Sequence, residues 1–302
     1  MISAKAILFV LLGGVAAFFC AVWAAGLIES NRRRLPNPYY LFVGFLTDFF
    51  DTLGIGSYAV TTSFYRLFKS VADEEIPGTL NVGHALPTVT QAFIYITLIK
   101  VEMKTLVLLI GASVLGAWLG AGVVTRLPRR RIQIGMGVAL LAAAVLILGG
   151  LLQFLPAQGD ATQLEGVRLY TAMVGNFCFG ALMMIGIGAY APIMVMVNLL
   201  GMNTKAAFPI MMGSCAFLMP IASLRFIRSG KYDPRAALGL TIGGTPAVLL
   251  AAFLVKSMSL TTVRWLVVVV VIYAACSMLW AARSERRASL ANDQLLRAEI
   301  DN

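Results

Sequence analysis

Two acids, Asp48 and Asp51, stand three residues apart in a stretch that is apolar from residue 39 onward. On a helix that spacing puts both carboxyls on one face. A carboxyl inside an apolar span is costly and marks a functional site by default. The pair therefore reads as a proton- or cation-coupling site, against the plainer reading of a helix start at a membrane surface. The chain's one histidine, His84, lies in the next apolar stretch with Asn81, Gly83 and Gln91 close by. An imidazole changes charge near neutral pH. His84 can thus relay protons with Asp48 and Asp51, or sit as a satisfied core residue. The two acids have no evident partner on another span.

A second pattern concerns backbone rather than side chains. The run Gly54-Ile55-Gly56-Ser57-Tyr58-Ala59 returns in the second half of the chain as Gly186-Ile187-Gly188-Ala189-Tyr190-Ala191. Ile76-Pro77 matches Phe208-Pro209 at the same spacing, and Pro87 matches Pro220 with one gap. Lys100 and Lys104 match Lys231 and Arg235, and Gly111 matches Gly243. The expected organisation is an extra N-terminal helix (1–31), a first repeat (39–156), a second repeat (169–283) and a cytoplasmic tail (284–302). Matching Gly-broken helices in two halves point to a transport site near the bilayer midplane. Half-helix N-termini there offer backbone N–H groups to an anion. The expected substrate site joins Gly54, Gly56, Gly186 and Gly188 with Thr61, Asn81, His84, Asn176 and Ser214. The bland reading of these polar groups is interhelical hydrogen bonding, worth about 0.6–2 kcal/mol each.

The elements that must hold these groups are membrane helices. Hydrophobic residues make up 59% of the chain and charged residues 13%, roughly half the charge of a soluble domain. The net charge of +10 comes from basic residues between apolar segments, which sets topology and does not suit nucleic acid. Cys20, Cys178, Cys215 and Cys276 lie in apolar segments without Cys-x-x-Cys spacing, so buried free thiols are expected, with no disulfide or metal. Apolar segments run over 6–28, 39–65, 78–99, 105–125, 132–155, 169–200, 206–227, 236–255 and 262–282. If the two glycine segments turn back within the membrane, one side gathers Arg32–Arg34, Arg66, Lys69, Arg126, Arg129–Arg131, Arg225, Arg228, Lys231, Arg235, Arg283, Arg286, Arg287 and Arg297. That satisfies the positive-inside rule better than nine crossings. Each repeat then has three crossings, an odd number that inverts the second. The expected fold is an all-α integral membrane protein of two inverted repeats, each a re-entrant Gly-broken segment plus three transmembrane helices, with one extra N-terminal helix. The N-terminus lies outside and the C-terminus in the cytoplasm. Gly116 and Gly120 suit close helix packing.

The paired Gly-x-Gly segments, Pro192 after the second pair, and the Gly-rich stretches 111–122 and 239–244 resemble the sulfite exporter TauE/SafE family of bacterial membrane proteins. The resemblance covers residues 40–283. It implies secondary transport of a small anion, a sulfur oxyanion or organosulfonate, across the bacterial inner membrane. The partners are that anion and lipid, with a homo-oligomer allowed and no cofactor expected. No Gly-x-x-x-x-Gly-Lys loop is present, so transport is expected to draw on a gradient. Within the resemblance, Val60 stands where a Pro is common in the family, and Asp48, Asp51 and the stretch Ile76–His84 are additions. The alternatives are an intramembrane enzyme using Asp48 and Asp51, and a non-transporting membrane scaffold.

Overall fold

A computed structural model describes residues 3–29, 35–124, 129–152, 159–184, 187–257 and 259–300, some helical stretches by backbone alone. The described residues form α1 (Ala4–Glu29), α2 (Pro38–Thr52), α3 (Ser57–Leu67), α4 (Ile76–Gly83), α5 (Ala85–Leu98), α6 (Met103–Val124) and α7 (Arg129–Leu151). They continue as α8 (Gly166–Met183), α9 (Tyr190–Leu199), a 3-10 turn at Thr204–Ala206, α10 (Ala207–Ser229), α11 (Pro234–Ser257) and α12 (Leu260–Ile300). Ala4–Ile28, Thr204–Ser229, Pro234–Leu254 and Trp265–Ser284 are each long and apolar enough to cross a bilayer. Large apolar side chains face outward from several helices, Val10 at 74% and Phe253 at 76% exposure, as lipid contact requires. This is an all-helical, multi-pass membrane protein. One expectation fails: Cys20, Cys178 and Cys276 are on the outer faces, and only Cys215 is buried. Their helices turn the thiol side to lipid, where an apolar sequence context says nothing about burial.

Both glycine segments turn back on themselves. Asn37 caps α2, its side chain accepting from the Tyr40 N–H, and Pro38 sits at the first helical position, where a missing N–H costs nothing. Tyr39 and Tyr40 at this end then donate hydroxyl bonds to Phe64 O (3.2 Å) and Ser70 O (2.8 Å). The start of α2 therefore touches the end of α3, so the two form an antiparallel hairpin with residues 53–56 at its tip. The second segment does the same. A Cβ at Gly175 on α8 would press on the Met196 sulfur of α9, and Arg168 lies beside Gly201. Residues 66–70 thus lie at the same end as residues 35–40; Arg32–Arg34 fall outside the described residues.

The halves interlock. α2 packs along α11, α8 along α6, α5 against α10, and α7 against α12. The first two contacts are close because glycines line them. A Cβ on Gly239 or Gly243 would strike Tyr40 or Leu41 O, and one on Gly116 or Gly180 would strike Phe177 O or Ser113 O. In lipid, such backbone approach supplies the packing that apolar area cannot. Gly111, on the same helix as Gly116, meets nothing within 4 Å. Gly116→Val should therefore destabilise the detergent-solubilised protein by about 1–3 kcal/mol, seen as a lower Tm. Gly111→Ala should hold stability or add up to ~1 kcal/mol.

Candidate functional site

Proline chemistry places the histidine. Pro87 has no N–H and its ring crowds the carbonyl four residues back. The helix accordingly breaks between α4 and α5 at His84. The freed Gly83 carbonyl accepts the Thr241 hydroxyl of α11 at 2.7 Å. The kink aims the imidazole at α2 on one side and α3 on the other. Nδ1 lies 2.9 Å from Asp48 Oδ1 and Nε2 lies 3.1 Å from Thr61 Oγ1. Asp48, Thr61 and His84 are fully buried. The Asp48 Oδ2 has no hydrogen-bond partner among the described residues and lies where a Cβ on Gly244 would stand. Tyr58 stacks over the imidazole, centroids 6.4 Å apart.

Asp51 has a different set of partners. One oxygen accepts from the Ser57 N–H, the other from Gln91 Nε2 at 2.9 Å. The same Gln91 nitrogen reaches Thr52 Oγ1 at 2.9 Å, and Gln91 Oε1 accepts the Tyr190 hydroxyl at 3.0 Å. The two acids do share a face of α2, but the expectation that they lack partners on other spans is wrong. Asp48 is held from the α4–α5 kink and Asp51 from α5. Both partners are remote in sequence, beyond the reach of local pattern.

Asp51 also breaks the symmetry expected of the two half-helices. Its carboxyl bonds the first N–H of α3, the role of a helix cap, so a carboxylate already occupies that N-terminus. The equivalent position in the second repeat is Met183, and α9 starts at Tyr190 without a side-chain cap. Of the two helix starts, α9's is the one without a side-chain partner among the described residues.

The tips meet. A Cβ at Gly56 would lie 3.9 Å from Tyr190 Cβ, and one at Gly188 would lie 3.9 Å from Tyr58 Cβ. Gly54 (φ 96°) and Gly56 (φ 87°) need the left-handed region, which glycine enters freely; Gly188 does not need it. Above the junction lies a cleft of about 360 Å³. It is bordered by the tips, by Ala59, Thr62, Ser63 and Arg66 of α3, and by α12 from Tyr273 to Ser284. Beneath it a void of about 20 Å³ touches Asp51, Tyr58, Thr88 and Tyr190, room for one water. The Tyr58 hydroxyl is buried without a partner among the described residues.

Of the sequence-predicted substrate residues, Gly56 and Gly188 border the cleft. Gly54 packs against Met194, and Thr61 faces His84. Gly186 lies outside the described residues. Asn81 donates to Pro77 O at 2.9 Å within its own helix. Asn176 donates to Leu109 O (2.7 Å) and Ser214 Oγ (3.0 Å), tying α6, α8 and α10 together away from the cleft. Tyr58 and Tyr190 were missed, although both belong to the duplicated motif and their repetition was the available signal.

One comparison with known proteins finds a match. The model of the family "Sulfite exporter TauE/SafE" matches residues 1–147 and 169–298. The chain belongs to the sulfite exporter TauE/SafE family. Searches of curated proteins and of solved structures returned no match. TauE/SafE proteins are membrane transporters, and in this member the family match spans both hairpins together with Asp48, Asp51 and His84.

Proposed function

We propose that the chain is a secondary transporter of a small anion, a sulfur oxyanion or organosulfonate, working by alternating access around the two glycine tips. The observation that carries this reading is the reciprocal contact of Gly56 with Tyr190 and Gly188 with Tyr58 at the floor of a cleft. The opening is one-sided. α9 packs on α7 and α12, whereas α3 faces α12 across the cleft. Inverted repeats that rock about a fixed site have two such states, one open to each side. The anion rests at the tips, where the uncapped start of α9 offers N–H groups without a fixed charge. The cleft opens beside Arg66, at the basic end, and the positive-inside rule puts that end in the cytoplasm of a bacterial inner membrane. The N-terminus is then outside and the C-terminus inside. Asp48, His84 and Asp51 carry the coupling proton. The enzyme alternative fits poorly, because both carboxyls are bonded to protein groups and only a water-sized void adjoins Asp51.

Reconstitution tests this. Proteoliposomes given gradients of sulfite, sulfate or an alkylsulfonate should show saturable flux of at least one of them, well above empty liposomes. Absence of flux for every anion, in protein shown to be folded, overturns the reading.

A further inference from the structure

Arg66 enters the sequence reading only as a topology marker, yet it borders the cleft. Ala59, Thr62, Ser63 and Arg66 follow the i, i+3, i+4, i+7 spacing of one helical face, and that face of α3 is the cleft wall. At 1.5 Å per residue, Arg66 stands roughly 14 Å along the helix axis from Ser57 at the tip. That is too far to share an anion held there.

Its present partner is weak. Arg66 Nε lies 2.9 Å from Asp73 Oδ1, with the two side chains 43% and 74% exposed. Exposed pairs of this kind contribute little and exchange readily. A guanidinium carries five N–H donors in a planar fork that matches an oxyanion, and the bond to Asp73 engages one of them. Thr62 and Ser63 add hydroxyls one turn nearer the tip, the Ser63 hydroxyl donating to Ala59 O at 2.8 Å until an anion draws it away.

The second hairpin has no such wall. In the second repeat the equivalents of Thr62, Ser63 and Arg66 are Met194, Val195 and Asn198. The Asn198 amide is tied into its own hairpin, donating to Met194 O at 2.7 Å and accepting from Thr204 at 2.8 Å. α12 lines the open cleft with Tyr273, Ser277, Trp280 and Ser284. The matching stretch at the end of α7, 141–152, carries no polar side chain. If the repeats exchange roles, no cation stands at the position equivalent to Arg66 on the other path, and Arg168 lies only at the far end of that hairpin, beside Gly201.

We propose that Arg66, with Thr62 and Ser63, is an outer binding station for the oxyanion on one side of the membrane only. There the substrate replaces Asp73 on the guanidinium before moving to the glycine tips. The proposal rests on the transport reading above and names the residue that selects for negative charge. Its mark is sidedness.

The test is initial-rate flux of sulfite or an alkylsulfonate in vesicles of defined orientation, presenting the anion to either face. Arg66→Gln should raise KM about tenfold for anion on the Arg66 face, from loss of a charged hydrogen bond. The KM on the opposite face and kcat should stay within about twofold. Arg66→Lys should fall between, since it keeps charge and loses the fork. Asp73→Asn should lower KM on the Arg66 face, because a competing carboxylate is gone. Wild-type protein without flux would strike the transport reading itself. Wild-type flux with Arg66→Gln unchanged, or impaired equally on both faces, would overturn the outer station.

Discussion

Gly188→Val is expected to cut anion flux by about 5–150-fold in protein that still inserts and folds. The backbone at Gly188 lies outside the left-handed region, so a side chain there brings no conformational strain. An added Cβ would sit at ordinary contact distance from Tyr58 Cβ, 3.9 Å away. Alanine should therefore be nearly silent on stability, and valine's two methyls would project into the tip junction proposed to hold the anion. Overpacking the junction by that much costs about 1–3 kcal/mol, which is about 5–150-fold in occupancy. Gly56→Val differs, because φ 87° at that position adds backbone strain of order 1–3 kcal/mol and the protein itself suffers. The informative comparison is thus Gly188→Ala against Gly188→Val, with Tm as the folding control. Wild-type flux in a well-folded Gly188→Val protein would remove the anion from the tips.

What could be read from the chain divides along a physical line. The duplicated glycines predicted the two breaks, and the distribution of arginine and lysine predicted that each segment turns back. Both are local or compositional signals. The first hairpin shows its turn in the bonds of Tyr39 to Phe64 and Tyr40 to Ser70. The polar groups were harder. Asn176 and Ser214 sit near the glycine segments in sequence, but their helix faces turn toward α6 and α10. Which face a polar residue shows inside an apolar helix depends on the neighbours, and hydropathy carries no such information. The Asp48–His84 contact needs the Pro87 kink and the packing of α2, α3 and α4 together. Pro87 was visible, but its consequence for an acid as far upstream as Asp48 was not. The symmetry break was legible, since Met183 stands where the first repeat has Asp51. It gains meaning only once Asp51 is seen capping α3.

The second large effect is expected at Asp48. Hydrogen counting around His84 explains why. Thr61 has one hydroxyl hydrogen, and its oxygen lies 2.8 Å from Ser57 O and 3.1 Å from His84 Nε2. If the hydrogen goes to Ser57 O, Nε2 must carry its own, and one further proton is needed between Nδ1 and Asp48. The pair then has no net charge. If the Nε2 proton leaves, the remaining hydrogen stays on Nδ1 toward Asp48, Nε2 becomes the acceptor, and the Thr61 hydroxyl rotates to it. A full proton is gained or lost with no heavy atom moving. The deprotonated pair is a lone buried negative charge, which is costly in an apolar setting. On the proposed transport reading, it would form only when a conformational change brings water or a cation to it, and that requirement would link proton movement to the transport cycle. Asp48→Asn keeps the shape and removes the titrating oxygen. One pH unit is worth about 1.4 kcal/mol per proton, so a one-proton carrier sustains about tenfold anion accumulation. The mutant should accumulate nothing under the same pH gradient. Anion exchange at equal pH should continue within a few-fold, because the tips are untouched. Asp51→Asn should behave differently. It weakens the cap on α3 and leaves Gln91 with the wrong partner, so both accumulation and exchange should drop. Asp48→Asn protein that still accumulates anion on a pH gradient would show that the buried pair is structural and that the proton travels elsewhere.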